Sequence, residues 1–281
     1  MRIAIVGPGA IGSTFAFQLS HAKHDVTVVA RGARLAQLER DGAIVRTSGE
    51  RAQVTVASTL DESVAYDLVI VSVLATQVAA VLPALSASKA RTVLFMFNTF
   101  ESLAPLREAV GAERFAFGFP QGVFTLLEEG RITPQIRRGT TVSDTRWAAL
   151  FSSAGIPTVV DDDMQSWLRT HAALVAPLMA VGVRSLASGP AISWREAAAH
   201  TDAFLAGIRI VRAVGNDVRP SVIARAARFP RASLTALLWL FGRTAMGRDL
   251  GKLGSTEPRM LIDMMHAAAP ELAAPLVLVR P

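Results

Sequence analysis

Apolar runs alternate with helically spaced segments along the first 160 residues of the chain. Residues 3–6 form a short β-branched run, and residues 13–19 continue with the spacing of a helix that buries one side. The same patterns predict strands at 25–30, 68–73, 92–97, 115–118, 132–136 and 157–160, helices at 35–40, 76–82 and 145–153, and a hairpin over 43–46 and 53–56. This alternation predicts a parallel sheet covered by helices.

The loop GPGAIG joins the first strand to the first helix. In such a loop Gly7 permits the tight turn, Gly9 lets a pyrophosphate approach the backbone, and Gly12 allows close packing of helix on strand. The N–H groups at the start of the helix, including those of Ala10 and Ile11, can bind an anion. We therefore predict a dinucleotide site. A secretory signal fits less well, because Gly-Pro-Gly interrupts the apolar stretch and no convincing cleavage site follows.

The strand pattern ends at three adjacent aspartates, residues 161–163. Beyond them apolar residues recur at helical spacing, for example Phe204 and Ile208. We predict an α/β fold with an N-terminal Rossmann-type domain over residues 1–162, followed by an all-α domain for substrate binding and dimerisation over 163–281. Side chains of adjacent residues diverge, so the aspartates fit a helix cap better than a metal site, and we expect no metal.

The end of the second strand indicates which dinucleotide binds. NAD sites carry Asp or Glu at this point, where the carboxylate receives the ribose hydroxyls. This chain has Ala30 and Arg31 instead, with Arg34 three residues on. Because guanidinium pairs with phosphate, we predict NADP as cofactor and Arg31 as the partner of its 2′-phosphate. Arg34 fits either the same role or a solvated helix residue.

Composition excludes several classes of protein. The net charge of +6 is dispersed along the 281 residues, with few aromatic residues between the basic ones, so we expect no nucleic-acid partner. The longest apolar run, 172–183, is too short to cross a bilayer and contains Pro177, so we expect a buried helix and no membrane contact. The absence of cysteine excludes disulfides and thiolate metal sites and fits a cytoplasmic location.

The chain resembles the ketopantoate reductases over nearly its whole length. The signs are, in order, the glycine loop, Arg31, Asn98 in FNTFES, the block Trp167-Leu168-Arg169, and the stretch TAMGRDLGKLGSTE that ends at Glu257. The resemblance implies an NADPH-dependent enzyme with a Rossmann domain followed by a helical domain.

The resemblance also implies polar site residues that this chain lacks. The family's proton-donating lysine is replaced by Arg169, two substrate-binding asparagines by Ala173 and Pro177, a serine by Ala245, and a cofactor-side lysine by Leu74. Arg169, Ala173 and Pro177 share one helix face and are expected to line one wall of the pocket. A guanidinium stays charged and donates protons poorly, and the hydroxyls of ketopantoate would be unpaired on an apolar wall. Ketopantoate is therefore not the expected substrate.

These observations predict an oxidoreductase that transfers hydride from NADPH to a carbonyl or imine of a small molecule in the cleft between the domains. Arg169 would stabilise developing negative charge, Glu257 would hold a substrate hydroxyl or amine, and Asn98 would lie near the nicotinamide. Arg169 and Glu257 are expected to approach each other, which would lower the pKa of the carboxyl. His171 is expected to be packed or on the surface.

The alternative is a non-catalytic NADPH-binding or redox-sensing protein whose substrate pocket has decayed. The replaced asparagines and lysine favour this alternative, whereas the retained Asn98 and Glu257 favour the enzyme. The sequence leaves open whether the protein forms a homodimer.

Overall fold

The computed structural model describes residues 1–137, 139–187 and 192–281. The chain forms two compact units. The first, here called the α/β unit, comprises Met1–Phe97 and Leu103–Met164. The second, the helical unit, comprises Asn98–Ser102 and Gln165–Pro281. The predicted fold class, an α/β domain followed by an all-α region, is confirmed.

Within the described residues, the α/β unit contains twelve strands and five helices. Among the described residues the strands are β1 (Arg2–Val6), β2 (Asp25–Val29), β3 (Ala43–Arg46), β4 (Arg51–Gln53), β5 (Thr55–Ala57), β6 (Leu68–Val71), β7 (Val93–Phe95), β8 (Phe115–Phe119), β9 (Val123–Glu128), β10 (Arg131–Ile136), β11 (Thr140–Val142) and β12 (Thr158–Val160). The helices are α1 (Ala10–His21), α2 (Gly32–Asp41), α3 (Val78–Ala87), α4 (Ala104–Val110) and α5 (Thr145–Ser153), with a 3-10 turn at Ala75–Gln77.

Eight of the strands form one main sheet in the order β12-β11-β8-β7-β6-β1-β2-β5. Neighbouring strands are parallel except β11 and β8, which are antiparallel. The strand order reverses between β1 and β6: the chain runs outward from β1 to β2 on one side and from β6 to β7 on the other. Ligands of open α/β sheets bind at the carboxyl ends of strands at such a reversal. The glycine loop follows β1 at this point.

A second sheet, in the order β4-β3-β10-β9, packs against α1. The predicted hairpin over 43–46 and 53–56 is partly wrong, because β4 ends at Gln53 and residues 55–57 form β5, parallel to β2 in the main sheet. The sequence patterns did not predict β9, β11 and α4. Two of the missed or misassigned strands, β5 and β11, have three residues each, too few to show a clear alternation of apolar and polar positions.

The helical unit contains no strand among its described residues. Its helices are α6 (Met164–Ala187), α7 (Trp194–Ala213), α8 (Ser221–Ala226), α9 (Arg231–Phe241), α10 (Ala245–Lys252), α11 (Thr256–Ala268) and α12 (Ala274–Leu278), with a 3-10 turn at Pro270–Leu272.

Helix α6 is the core helix of this unit. By length and composition alone it could cross a membrane. Ala172 and Ala176 on this helix are nevertheless fully buried, in one apolar cluster with Phe204 and Leu261 of neighbouring helices. The prediction of a buried helix over 172–183 is confirmed.

Candidate functional site

The glycine loop, residues 7–12, has two glycines that the fold requires and one that it does not. Gly7 has a φ of +88°, and a Cβ there would lie 2.6 Å from Val73 Cγ1. A Cβ on Gly12 would overlap Ser72 Oγ and would lie 2.5 Å from the backbone oxygen of Gly7. A Cβ on Gly9 would have no atom of the described chain within 4 Å. Gly9 therefore faces open space, where a ligand can approach the backbone.

The N-terminus of α1 presents unpaired N–H groups. Gly9 is the N-cap residue, no side chain caps the helix, and the first turn contains no acidic residue. Within the described chain, the N–H groups of Ala10, Ile11 and Gly12 have no hydrogen-bond acceptor. Together with the positive end of the helix dipole, these donors can hold a phosphate group.

Arg31 and Arg34, which follow β2, have different surroundings. Arg31 is exposed, and its side chain forms no hydrogen bond or ion pair with the described residues. The guanidinium of Arg34 donates to the backbone oxygen of Pro8 (2.9 Å), to Ser13 Oγ (2.7 Å) and to the backbone oxygen of Gly130 (3.0 Å). Arg34 is therefore not a solvated helix residue, while Arg31 is available to a phosphate.

The segment Asn98–Ser102, hereafter the bridging segment, connects the three candidate catalytic residues. Asn98 belongs to it, and its Nδ2 donates to Glu257 Oε1 over 3.0 Å. Two residues further on, the backbone oxygen of Phe100 accepts a hydrogen bond from Arg169 Nε over 3.0 Å. Glu257 and Arg169 are thus held by the same short segment within the helical unit, although 88 positions of sequence separate them.

Glu257 lies in the first turn of α11, partly buried, and forms no ion pair with a cation of the described residues. Burial raises the pKa of its carboxyl, and the hydrogen bond from Asn98 opposes this shift. Glu257 and Arg169 form no ion pair with each other in the described chain, and the expectation that Arg169 lowers the pKa of Glu257 is wrong. Asn98 is 6% exposed, and its buried Oδ1 has no hydrogen-bond partner among the described atoms. Glu257 Oε2 also accepts no hydrogen bond from the described residues, so the Glu257–Asn98 pair retains a carboxylate oxygen for a hydroxyl or amine.

Arg169 is held by groups of the helical unit. Its Nη1 donates to Asn216 Oδ1, and its guanidinium carbon lies 5.3 Å from the centre of the Phe100 ring. Asn216 in turn donates to Ser166 Oγ over 3.0 Å. Burial lowers the pKa of Arg169, but a guanidinium remains charged at neutral pH. Sequence reasoning missed Asn216 because it lies in the loop after α7, where no motif or periodicity marks it.

Ala173 is fully buried between α6 and α7. A Cβ added to Gly207 of α7 would lie 2.9 Å from Ala173 Cβ. The expectation that Ala173 lines a pocket wall with Arg169 and Pro177 is wrong, because the side chain is enclosed by helix packing. An asparagine at position 173 would require the two helices to separate.

His171 and the aspartates have structural roles. The His171 ring stacks on Trp167 with centroids 5.1 Å apart, and burial lowers its pKa to about 4, so the ring is neutral at pH 7. It is a packed histidine, as expected. Asp161 Oδ1 accepts a hydrogen bond from the N–H of Asp163, immediately before α6. Within the described ranges, no group of three His, Asp or Glu residues could hold a metal ion.

Comparison with known proteins identifies the family. The family model for ketopantoate reductase PanE/ApbA matches residues 3–146. The chain belongs to this family. No curated protein sequence matches the chain.

Solved structures of ketopantoate reductases and of D-mandelate dehydrogenase share the fold of this chain at low sequence identity. A PanE/ApbA family ketopantoate reductase from Ralstonia eutropha JMP134 has a TM-score of 0.73 and 22% identity, covering 100% of this chain and 97% of that one. D-mandelate dehydrogenase in complex with NADH has a TM-score of 0.73 and 17% identity, with coverages of 100% and 97%. A dimeric ketopantoate reductase from Staphylococcus aureus has a TM-score of 0.69 and 14% identity, with coverages of 100% and 98%.

Proposed function

We propose that this protein is an NADPH-dependent reductase that transfers hydride to a carbonyl or imine of a small polar molecule other than ketopantoate. Residues 1–162 would bind the cofactor and residues 163–281 the substrate. The observation that carries the proposal is the Glu257–Asn98 pair, held with Arg169 by the bridging segment. Membership of the ketopantoate reductase family supports the reaction class.

The choice of NADPH rests on the end of β2. The residues there are Ala30 and Arg31, so no carboxylate is present to receive the ribose hydroxyls of NAD. The exposed, unpaired guanidinium of Arg31 suits the 2′-phosphate of NADP. D-mandelate dehydrogenase, a structural relative, is solved with NADH, so the shared fold does not by itself select NADPH.

The residues of the chain fit a bound dinucleotide at the glycine loop. Gly9 leaves space beside the backbone, and the N–H groups of α1 would hold the pyrophosphate. The nicotinamide supplies hydride when bound. Asn98 and Glu257 would bind a substrate hydroxyl or amine, and the raised pKa of Glu257 favours the protonated carboxyl, which can donate a hydrogen bond to a substrate oxygen. The fixed positive charge of Arg169 would stabilise negative charge developing on that oxygen.

The second candidate function is a non-catalytic NADPH-binding or redox-sensing protein. The observation that favours it is the packing of Ala173 against Gly207, which encloses a position where the resemblance implies a polar substrate ligand. The Nε and Nη1 donors of Arg169 are also directed to Phe100 and Asn216. Such a sensor would bind NADPH without consuming it.

A panel of 2-oxo acids, aldehydes and imines, assayed by loss of NADPH absorbance, separates the two functions. We expect saturable turnover of at least one compound by the wild-type chain. Glu257→Gln and Arg169→Ala should each lower kcat/KM at least tenfold, a loss of about 1.4 kcal/mol of transition-state stabilisation. The exposed control Glu271→Gln should leave kcat/KM unchanged. We expect turnover of millimolar ketopantoate to lie several orders of magnitude below that of the best compound. Tight NADPH binding without oxidation by any compound would establish the sensor instead.

Two further parts of the proposal concern assembly and location. A homodimer is proposed by analogy with the dimeric Staphylococcus aureus relative and is tested by light scattering of the purified chain. A cytoplasmic location is supported by the absence of cysteine and is tested by cell fractionation.

A further inference from the structure

Arg34 is a partly buried cation attached to the glycine loop. Its Nε donates to the backbone oxygen of Pro8, and its Nη2 donates to Ser13 Oγ. Ser13 is fully buried, and its hydroxyl donates to the same oxygen of Pro8 over 2.9 Å. The guanidinium therefore holds both the loop and the first turn of α1.

The remaining contacts of Arg34 are also with neutral groups. Its Nη1 donates to the backbone oxygen of Gly130, in the turn between β9 and β10, and to the side-chain oxygen of Gln37. Gln37 connects Arg34 to Asp41, because its side-chain oxygen accepts from Arg34 and its amide nitrogen donates to the carboxylate of Asp41. Four of the five guanidinium N–H donors thus end on neutral oxygens, and one on Nη2 is left over.

The positive charge of Arg34 consequently lacks an anion in contact with it. No carboxylate of the described chain forms an ion pair with Arg34. Loss of solvation lowers the pKa of Arg34, and the more distant charge of Asp41 opposes this only as a secondary effect. A partly desolvated charge without a counter-charge in contact with it is costly for a folded protein, and a bound anion relieves that cost.

The position of this charge points to the anion. Pro8 precedes Gly9, and the unpaired N–H groups of α1 begin at Ala10. The guanidinium also occupies the carbonyl oxygen of Pro8, so the negative end of that peptide dipole is neutralised beside the loop. A pyrophosphate at the N-terminus of α1 would therefore be attracted by the helix and by Arg34 together.

We propose that Arg34 is a positioning residue for the dinucleotide, which shapes the glycine loop through Pro8 and Ser13 and supplies the counter-charge for the pyrophosphate. This inference rests on the proposed binding of a dinucleotide at that loop. The two neighbouring arginines then have different roles. Arg31 binds the 2′-phosphate, which only NADP carries. Arg34 attracts the pyrophosphate, which NADP and NAD share.

The test is calorimetric titration of NADPH and NADH into the wild-type chain and into Arg34→Gln, Arg34→Lys and Arg31→Gln. We expect Arg34→Gln to weaken both dinucleotides by the same factor, about tenfold, which corresponds to about 1.4 kcal/mol. Arg34→Lys, which keeps the charge but loses the planar donors, should lose less than half of that free energy. Arg31→Gln should weaken NADPH alone.

Salt and a second variant test the electrostatic part. The difference between wild type and Arg34→Gln should shrink from 50 mM to 500 mM NaCl, because screening weakens a charge effect. Ser13→Ala, which removes the hydroxyl contact and keeps the cation, should weaken both dinucleotides less than Arg34→Gln does; it also serves if Arg34→Gln fails to fold.

Three results would overturn the inference while leaving the proposed function intact. Equal losses for Arg34→Lys and Arg34→Gln would show that only hydrogen-bond geometry matters. A loss confined to NADPH would make Arg34 a second 2′-phosphate ligand. Unchanged affinity in all Arg34 variants would show a purely structural contact. If the wild-type chain itself binds neither dinucleotide, the proposed function fails and this inference fails with it.

Discussion

At the scale of single residues, folding changes the pKa of Glu257, a residue of the candidate site. Burial raises the pKa of its carboxyl above the ordinary value of 4.5, so the folded chain binds this proton more tightly than the unfolded chain does. The contribution of Glu257 to stability is therefore most favourable below about pH 4.5 and declines as pH rises through the folded pKa. The ionised carboxylate of Glu257 therefore costs stability near neutral pH.

Glu257→Gln, which cannot ionise and can still accept the hydrogen bond from Asn98, should be more stable than wild type at pH 7. We expect a gain of about 1 kcal/mol, the size of one buried polar contact, and no gain at pH 4. Urea unfolding between pH 4 and pH 8 measures both values. The exposed control Glu271→Gln should show no such trend. A loss of equal size at both pH values would contradict the assigned cause of the shift.

At the scale of elements, two glycines of the turn from β1 to α1 are expected to have different roles. Gly12 is required for packing, and Gly9 leaves space for a ligand. Gly12→Ala should lower the free energy of unfolding by about 2 kcal/mol, because the new Cβ would overlap Ser72 Oγ and the Gly7 carbonyl. Gly9→Ala meets no atom of the described chain and should leave stability near that of wild type while weakening NADPH binding. Urea unfolding and titration of the two variants give the comparison, and equal stabilities would show that the loop tolerates a side chain at Gly12.

The crossing of α6 and α7 yields a second prediction at this scale. Ala173→Asn should destabilise the chain by about 2 to 3 kcal/mol, since the larger polar side chain would be forced against Gly207. It should not confer turnover of ketopantoate. Ala267→Asn, at an exposed position of α11, is the matched control and should cost less than about 1 kcal/mol. Thermal unfolding and the NADPH absorbance assay provide the two measurements.

At the scale of the whole molecule, the cofactor should act as a stabilising ligand of the native state. NADPH at 100 times its Kd should raise the free energy of unfolding by about 2.7 kcal/mol. NADH at the same concentration should raise it by about 1.4 kcal/mol less, given an expected tenfold weaker affinity. Thermal shift measurements with both cofactors check this, and Arg31→Ala should bring the two shifts together. Identical shifts in the wild-type chain would contradict the assignment of NADP.

Local patterns in the sequence were sufficient to predict the class of fold and the position of the glycine loop between a strand and a helix. The spacing of Gly7, Gly9 and Gly12 between a strand and a helix depends on neighbours in the chain, as does the change from alternating strands to helices beyond residue 160. The helix over 145–153 agrees with α5 for the same reason. These features are encoded within windows of ten to twenty residues, where periodicity and turn chemistry act.

Only the tertiary structure decided the chemistry of the site. That Asn98 meets Glu257, that Arg34 attaches to Pro8 and that Ala173 is enclosed by Gly207 are contacts between residues far apart in the chain. Neither solvation nor the identity of a partner is contained in local sequence, so the missing Arg169–Glu257 ion pair and the raised pKa of Glu257 could not be predicted. The sequence by itself determined the class of fold and the position of the glycine loop. Packing decided which polar groups keep an unpaired hydrogen-bonding atom, because burial and long-range hydrogen bonds set their charge and their availability.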